Sequence, residues 1–131
     1  MTARPIPQGM HSVTPHLVCA GAAQAIEFYK KAFGATEQNR MPGPGGKIMH
    51  AALRIGDTTI MASDGNCKGK PNFQGFSLSL SAPNEVEAER LFAVLGEGGQ
   101  VQMPMSKTFF APRFGMVADR FGVSWMVIVA T

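Results

Sequence analysis

Hydrophobic and polar positions follow one order of periods in the first half of the chain and repeat it in the second. Weak alternation over 13–20 predicts a strand. Ala22, Ala25, Ile26, Tyr29 and Phe33 then recur at helical spacing, and Gly34 supplies a stop. A second strand is expected over 36–41. Pro42-Gly43-Pro44-Gly45-Gly46 follows as a hairpin loop, because Gly and Pro supply turn angles. Over 47–55 the alternation is clear, with Met49, Ala51, Leu53 and Ile55 on one face and His50, Ala52 and Arg54 on the other. Gly56-Asp57 signals a tight turn into a strand over 58–62. After a polar stretch over 63–72, Phe76, Leu78 and Leu80 face one way, and Ser77, Ser79 and Ser81 the other. Asn84 is placed to cap a helix with Glu85, Glu87 and Glu89 near its positive end. Val86, Leu91, Phe92 and Leu95 form that helix's apolar stripe, which Gly98-Gly99 ends. Three strands are expected after it, over 100–105, 109–118 and 123–129.

The two halves align. Thr14 pairs with Ser77 and Leu17 with Leu80 at an offset of 63, and Gly56 pairs with Gly122 at an offset of 66. A near-constant offset predicts two copies of one supersecondary unit. The fold expected is α+β, with two βαβββ modules forming a curled mixed sheet around a concave cleft and the helices on the outer face. One domain spans 1–131, with module one at about 12–64, a linker at 65–74 and module two at about 75–130. Strand alternation puts Leu17, Met49, Leu53, Leu78 and Leu80 on the helix-covered face. It puts His16, His50, Arg54, Ser77 and Ser79 on the face left free for a ligand.

Composition narrows the function classes. A 131-residue chain with 45% hydrophobic residues is long and apolar enough for a real core. The longest apolar run, at 125–130, is far too short to span a membrane, and no signal peptide is visible at the N-terminus. The net charge is +3, but Arg4, Lys30, Lys31, Arg40, Lys47, Lys68, Lys70 and Arg120 are scattered and form no basic run among aromatics. Neither nucleic acid nor membrane is therefore an expected partner. Cys19 and Cys67 read as free thiols in a reducing cytoplasm, with a disulfide between them as the alternative. The glycine loop is no phosphate cradle, because Lys47 precedes Ile48 rather than Ser or Thr. Unpaired sheet edges predict a homodimer.

Residues 25–35 (AIEFYKKAFGA), 49–57 (MHAALRIGD) and 118–125 (ADRFGVSW) resemble the vicinal oxygen chelate superfamily of glyoxalase, bleomycin-resistance, fosfomycin-resistance and dioxygenase proteins, in particular its PhnB-like branch. The resemblance covers about 12–130 and implies two half-barrel modules, usually in a dimer. It also implies a divalent metal held by His, Glu or Gln from the first and last strands of each module. Carried over by spacing, those positions are Thr14, Ile60, Ser77 and Met126. None suits a hard ion, which wants carboxylate or imidazole. No metal and no cofactor is therefore expected, and the metal-dependent chemistries of the superfamily lose their Lewis acid.

The remaining candidates for a ligand site are His16, His50, Arg54, Ser77, Arg113 and Met126. His50 and His16 can change charge near neutral pH, while Arg54 and Arg113 can hold an anion. Phe109, Phe110, Phe114 and Met116 can form an apolar wall around Arg113. Trp125 reads as core, and Asp57, Asp64 and Asp119 read as turn or cap residues. Two functions remain. One is a metal-free protein that binds an apolar or anionic small molecule in the cleft, as bleomycin-resistance proteins sequester theirs. The other is an isomerase, lyase or dioxygenase type of enzyme using His50, and His16 with it, for acid–base work or atypical metal binding. No nucleophile elbow or glycine-rich nucleotide loop supports a hydrolase or a methyltransferase.

Overall fold

A computed structural model of the protein describes residues 12–65 and 71–129. Cys67, His11 and the proline-bearing arm over 1–10 lie outside the described residues. The chain divides into two compact units, Met1–Pro71 and Asn72–Thr131. The first carries β1 (His16–Val18), α1 (Ala22–Phe33), β2 (Thr36–Pro42), β3 (Ile48–Ile55) and β4 (Thr58–Ser63). Its strands lie in the order β1-β4-β3-β2, with β1 parallel to β4 and the other pairs antiparallel. The second carries β5 (Leu78–Ala82), α2 (Glu85–Gly96), β6 (Gln100–Ser106), β7 (Arg113–Ala118) and β8 (Ser124–Val129) in the matching order β5-β8-β7-β6. The class is α+β, built on a duplicated βαβββ module with two open four-stranded mixed sheets. Among the described residues no helix is long and apolar enough to cross a membrane.

Each helix covers one face of its own sheet. In the first unit Ala22, Ala25, Ile26, Phe28, Tyr29 and Ala32 are buried on α1, and Leu17, Ala51, Leu53, Ile60 and Ala62 are buried on the strands. In the second, Leu91 and Leu95 of α2 are buried with Val117, Trp125, Val127 and Val129. Removing this apolar area from water is the main stabilising term, roughly 1.5–3 kcal/mol for each large side chain. Gly115 lets α2 approach β7. A Cβ there would lie 2.8 Å from Phe92 Cε1 and 2.6 Å from Met105 Sδ. Gly115→Val is expected to cost about 1–3 kcal/mol by overpacking, read by chemical denaturation.

The two helices are capped differently. Asn84 caps α2 locally, its side-chain oxygen accepting from the Glu87 N–H at 2.8 Å. Helix α1 starts at Gly21 with no side-chain cap of its own and no acid in its first turn. Asp64, just past β4, does that work from a distance. Its Oδ1 accepts from the Gly21 and Ala22 N–H groups at 3.0 and 3.2 Å, and its Oδ2 accepts from the Ile48 N–H at 2.7 Å.

Three local expectations are corrected. The first strand shrinks to three residues. Met49 was expected on the helix-covered face, but it is 60% exposed beside Gly43, and Ile48 is buried instead. The register between β2 and β3 shifts between Met41 and Pro42, opposite His50 and Ile48, so alternation breaks at the first residues of β3. Residues 109–112 are not strand. Thr108 closes a turn on Ala111 through three hydrogen bonds of 3.0–3.3 Å, and β7 begins only after Pro112, which has no N–H to offer a ladder.

Candidate functional site

Two clusters of polar side chains lie on the sheet faces opposite the helices, one in each unit. In the second unit the register Ser79↔Met126 and Met116↔Met126 puts these three residues on one face of the sheet. Ser77, just before β5, donates through Oγ to the Ser124 hydroxyl at 3.2 Å, and Ser124 donates in turn to Gln102 Oε1 at 3.0 Å. A cavity of about 530 Å³ opens over this chain of hydrogen bonds, walled by Phe73, Phe76, Met116 and Met126. The Phe73 and Phe76 rings meet edge to face at 6.3 Å. No ionisable side chain is among the residues lining the cavity. The result is an open, mostly apolar pocket with a short polar strip whose hydroxyl directions are fixed by Gln102.

In the first unit the same face carries His16, His50, Arg54 and Met61. His16 leans along its sheet so that Nε2 is 2.8 Å from Ser63 Oγ, and its ring centroid is 6.0 Å from that of His50. Burial lowers the His16 pKa, and the neighbouring His50 lowers it further. Arg54 folds back at the hairpin, with Nε donating to the Gly56 carbonyl at 3.1 Å.

Of the six residues singled out from the sequence, the structure brings Ser77 and Met126 together in the second unit and His16 and His50 together in the first. Arg54 shares their face but is engaged by the turn. Arg113 lies elsewhere. Its register with Val129 turns it to the helix-covered face, where Nη2 is 3.1 Å from Glu89 of α2. The anion clamp expected of it is replaced by an ion pair with the helix. Gln102, Ser124, Phe73 and Phe76 were missed as site residues. Phe76 had been grouped with Leu78 and Leu80, but it precedes β5 and so escapes the alternation. Ser124 carried a usable signal, because it alternates with Met126 along a strand parallel to β5.

The donor set does not fit the hard divalent ion that the resemblance implies. Ile60 is 3% exposed among the helix-covered residues, and Met61 takes the free face as the register partner of His16. Ser77 is held by Ser124, and Met126 offers only a thioether. Among the described residues no three His, Cys, Asp or Glu side chains converge.

The sequence segment 118–125 that supported the resemblance has a structural meaning. Asp119 is 3% exposed between β7 and β8. Its Oδ1 accepts from the Phe121 and Val123 N–H groups at 2.9 and 3.1 Å, and its Oδ2 accepts from the Trp125 indole at 2.9 Å. Gly122 completes the turn at φ 91, a backbone angle that side chains with a Cβ rarely adopt.

Comparison with known proteins agrees with this geometry. The family model described as 3-demethylubiquinone-9 3-methyltransferase matches residues 11–128. The crystal structure of protein PA1353 from Pseudomonas aeruginosa is 39% identical, with a TM-score of 0.81 over 90% of this chain and 96% of that one. A PhnB protein from Bacillus cereus, described as a putative 3-demethylubiquinone-9 3-methyltransferase, shares the fold at 22% identity and a TM-score of 0.82, over 92% of this chain and all (100%) of that one. A glyoxylase/bleomycin resistance protein/dioxygenase domain from Frankia sp. EAN1pec shares it at 15% identity and a TM-score of 0.73, over 90% and 95% of the two chains. The fold is thus one shared with a PhnB protein and with a glyoxylase/bleomycin resistance protein/dioxygenase domain, and the chain itself belongs to the 3-demethylubiquinone-9 3-methyltransferase family.

Proposed function

We propose that this chain is a small-molecule-binding protein, and that its ligand seats on the free face of the second sheet. The observation that carries this reading is the cavity of about 530 Å³, with its Phe73, Phe76, Met116 and Met126 walls and its Ser77–Ser124–Gln102 strip. Ligand pockets of this size are typically apolar with a few placed polar groups. Methionine walls adapt to flat or irregular shapes, and paired phenylalanines favour an aromatic body. With no charged lining residue, the cavity suits a neutral ligand with one hydrogen-bonding group better than the anion suggested by the arginines in the sequence. Among the described residues a hard divalent ion has no fitting donor set, so binding rather than Lewis-acid chemistry is the activity proposed.

The test is ligand-observed NMR with matched aromatic amides, carboxylates and amines. The amides are expected to bind the wild-type protein best. Met126→Arg fills the cavity with a charged side chain and is expected to weaken amide binding at least about tenfold, whereas Met126→Leu stays within a few fold. Amide binding that is indifferent to Met126→Arg would sink the proposal.

A further inference from the structure

The polar cluster of the first unit is a separate feature, and its donor chemistry is unusual. His16 stands beside Met61 across the β1–β4 pair, and His50 stands beside Met41 across the β2–β3 pair. The strand order β1-β4-β3-β2 puts all four on the sheet face that α1 leaves uncovered. Each imidazole therefore has a thioether as its cross-strand neighbour, at the close spacing such pairs share. Met41 is 54% exposed, so this soft side chain faces outward rather than filling core.

We propose that this face binds one soft monovalent metal ion, copper(I), between His16 and His50, with the Met61 and Met41 thioethers completing the donor set. Imidazole with thioether selects copper(I) over hard divalent ions. The spacing agrees. With nitrogen–metal bonds of about 2 Å, two imidazole centroids on one ion lie roughly 5 Å apart at a tetrahedral angle and roughly 6 Å apart near linearity. The observed separation of 6.0 Å lies within this range. The Ser63 hydroxyl, 2.8 Å from His16 Nε2, can fix the ring as an outer-shell partner and leave the other nitrogen free. This site shares no residue with the cavity of the second unit, so either proposal can fail alone.

The experiment titrates the full chain, with Cys67→Ser to remove a competing thiol, using silver(I) as a redox-inert probe and copper(I) against a chromophoric chelator. One equivalent is expected to bind. His16→Asn with His50→Asn is expected to weaken binding at least about 100-fold, and Ser63→Ala about 10-fold, the range outer-shell partners show. Met61→Leu and Met41→Leu keep the side-chain volume and are each expected to weaken binding about 10-fold with melting unchanged, so they decide the matter if the double histidine variant does not fold. Silver(I) binding unchanged by the histidine or methionine substitutions overturns the site, as does zinc(II) binding more tightly than silver(I).

Discussion

Asp119→Ala is expected to destabilise the protein by about 3–5 kcal/mol, the cost of removing one side of a buried charge-assisted network. One carboxylate here satisfies two turn amides and the indole N–H of Trp125, which is itself 3% exposed. Alanine takes the Asp119 acceptor away from three donors, two of which, the Val123 N–H and the Trp125 indole, are buried. Asp119→Asn separates the contributions. Its amide oxygen can still accept from the Phe121 and Val123 N–H groups, but its NH₂ would face the indole donor, so a smaller loss of about 1–3 kcal/mol is expected. Trp125 is the only tryptophan, so its fluorescence reports the site directly. The alanine variant should show red-shifted emission and a melting temperature lower by roughly 10–20 °C. A melting point within about 2 °C of wild type would falsify this account of the motif.

That result bears on what the sequence could show. Periodicity located both helices, because α1 and α2 each bury a stripe and end in recognisable cap or glycine signals, but Val86, expected in the α2 stripe, is 81% exposed and Ala88 is buried instead. It also located the serine face of β5 and the methionine of β8, since Ser79 and Met126 obey the two-residue alternation. It failed where geometry rather than period decides. Pairing Ile60 with Met126 as equivalents was off by one residue, because only the parallel register of β1 with β4 fixes which side chain shares a face with His16. Arg113 looked like part of an aromatic wall, but a turn at Thr108–Ala111 separates it from Phe109 and Phe110, and β7 turns it to Glu89. Gln102 sits on β6, where register shifts flank Met103, so no alternation argument could have aimed it at Ser124. Asp119 and Asp64 were legible as turn or cap residues. Their reach across 43 residues to Gly21, or into the core to Trp125, was not.

The second large effect lies at Asp64. Asp64→Ala is expected to cost about 2–4 kcal/mol, because it uncaps α1 and frees the Ile48 amide in one step. The helix has no acid of its own in its first turn, so this carboxylate is also the negative charge that its N-terminal dipole meets. Burial acts to raise the Asp64 pKa. The Ile48, Ala22 and Gly21 N–H groups, with the charge of Lys47, outweigh it and leave the carboxyl below its usual value. A carboxyl depressed in the folded state contributes stability that is fully present above its unfolded pKa of about 3.9 and is lost as pH falls through the folded value. The stability gap between wild type and Asp64→Asn should therefore be widest near pH 6 and should narrow below about pH 4, as the wild-type carboxyl takes up its proton. Urea denaturation at pH 6 and pH 3 measures the gap. An equal gap at both values would mean that hydrogen-bond geometry alone holds α1 to its sheet, with no contribution from the charge. A gap that closes would identify Asp64 as the ionic tie between the helix, β3 and the end of β4, a role that Asn84 fills for α2 from within its own turn.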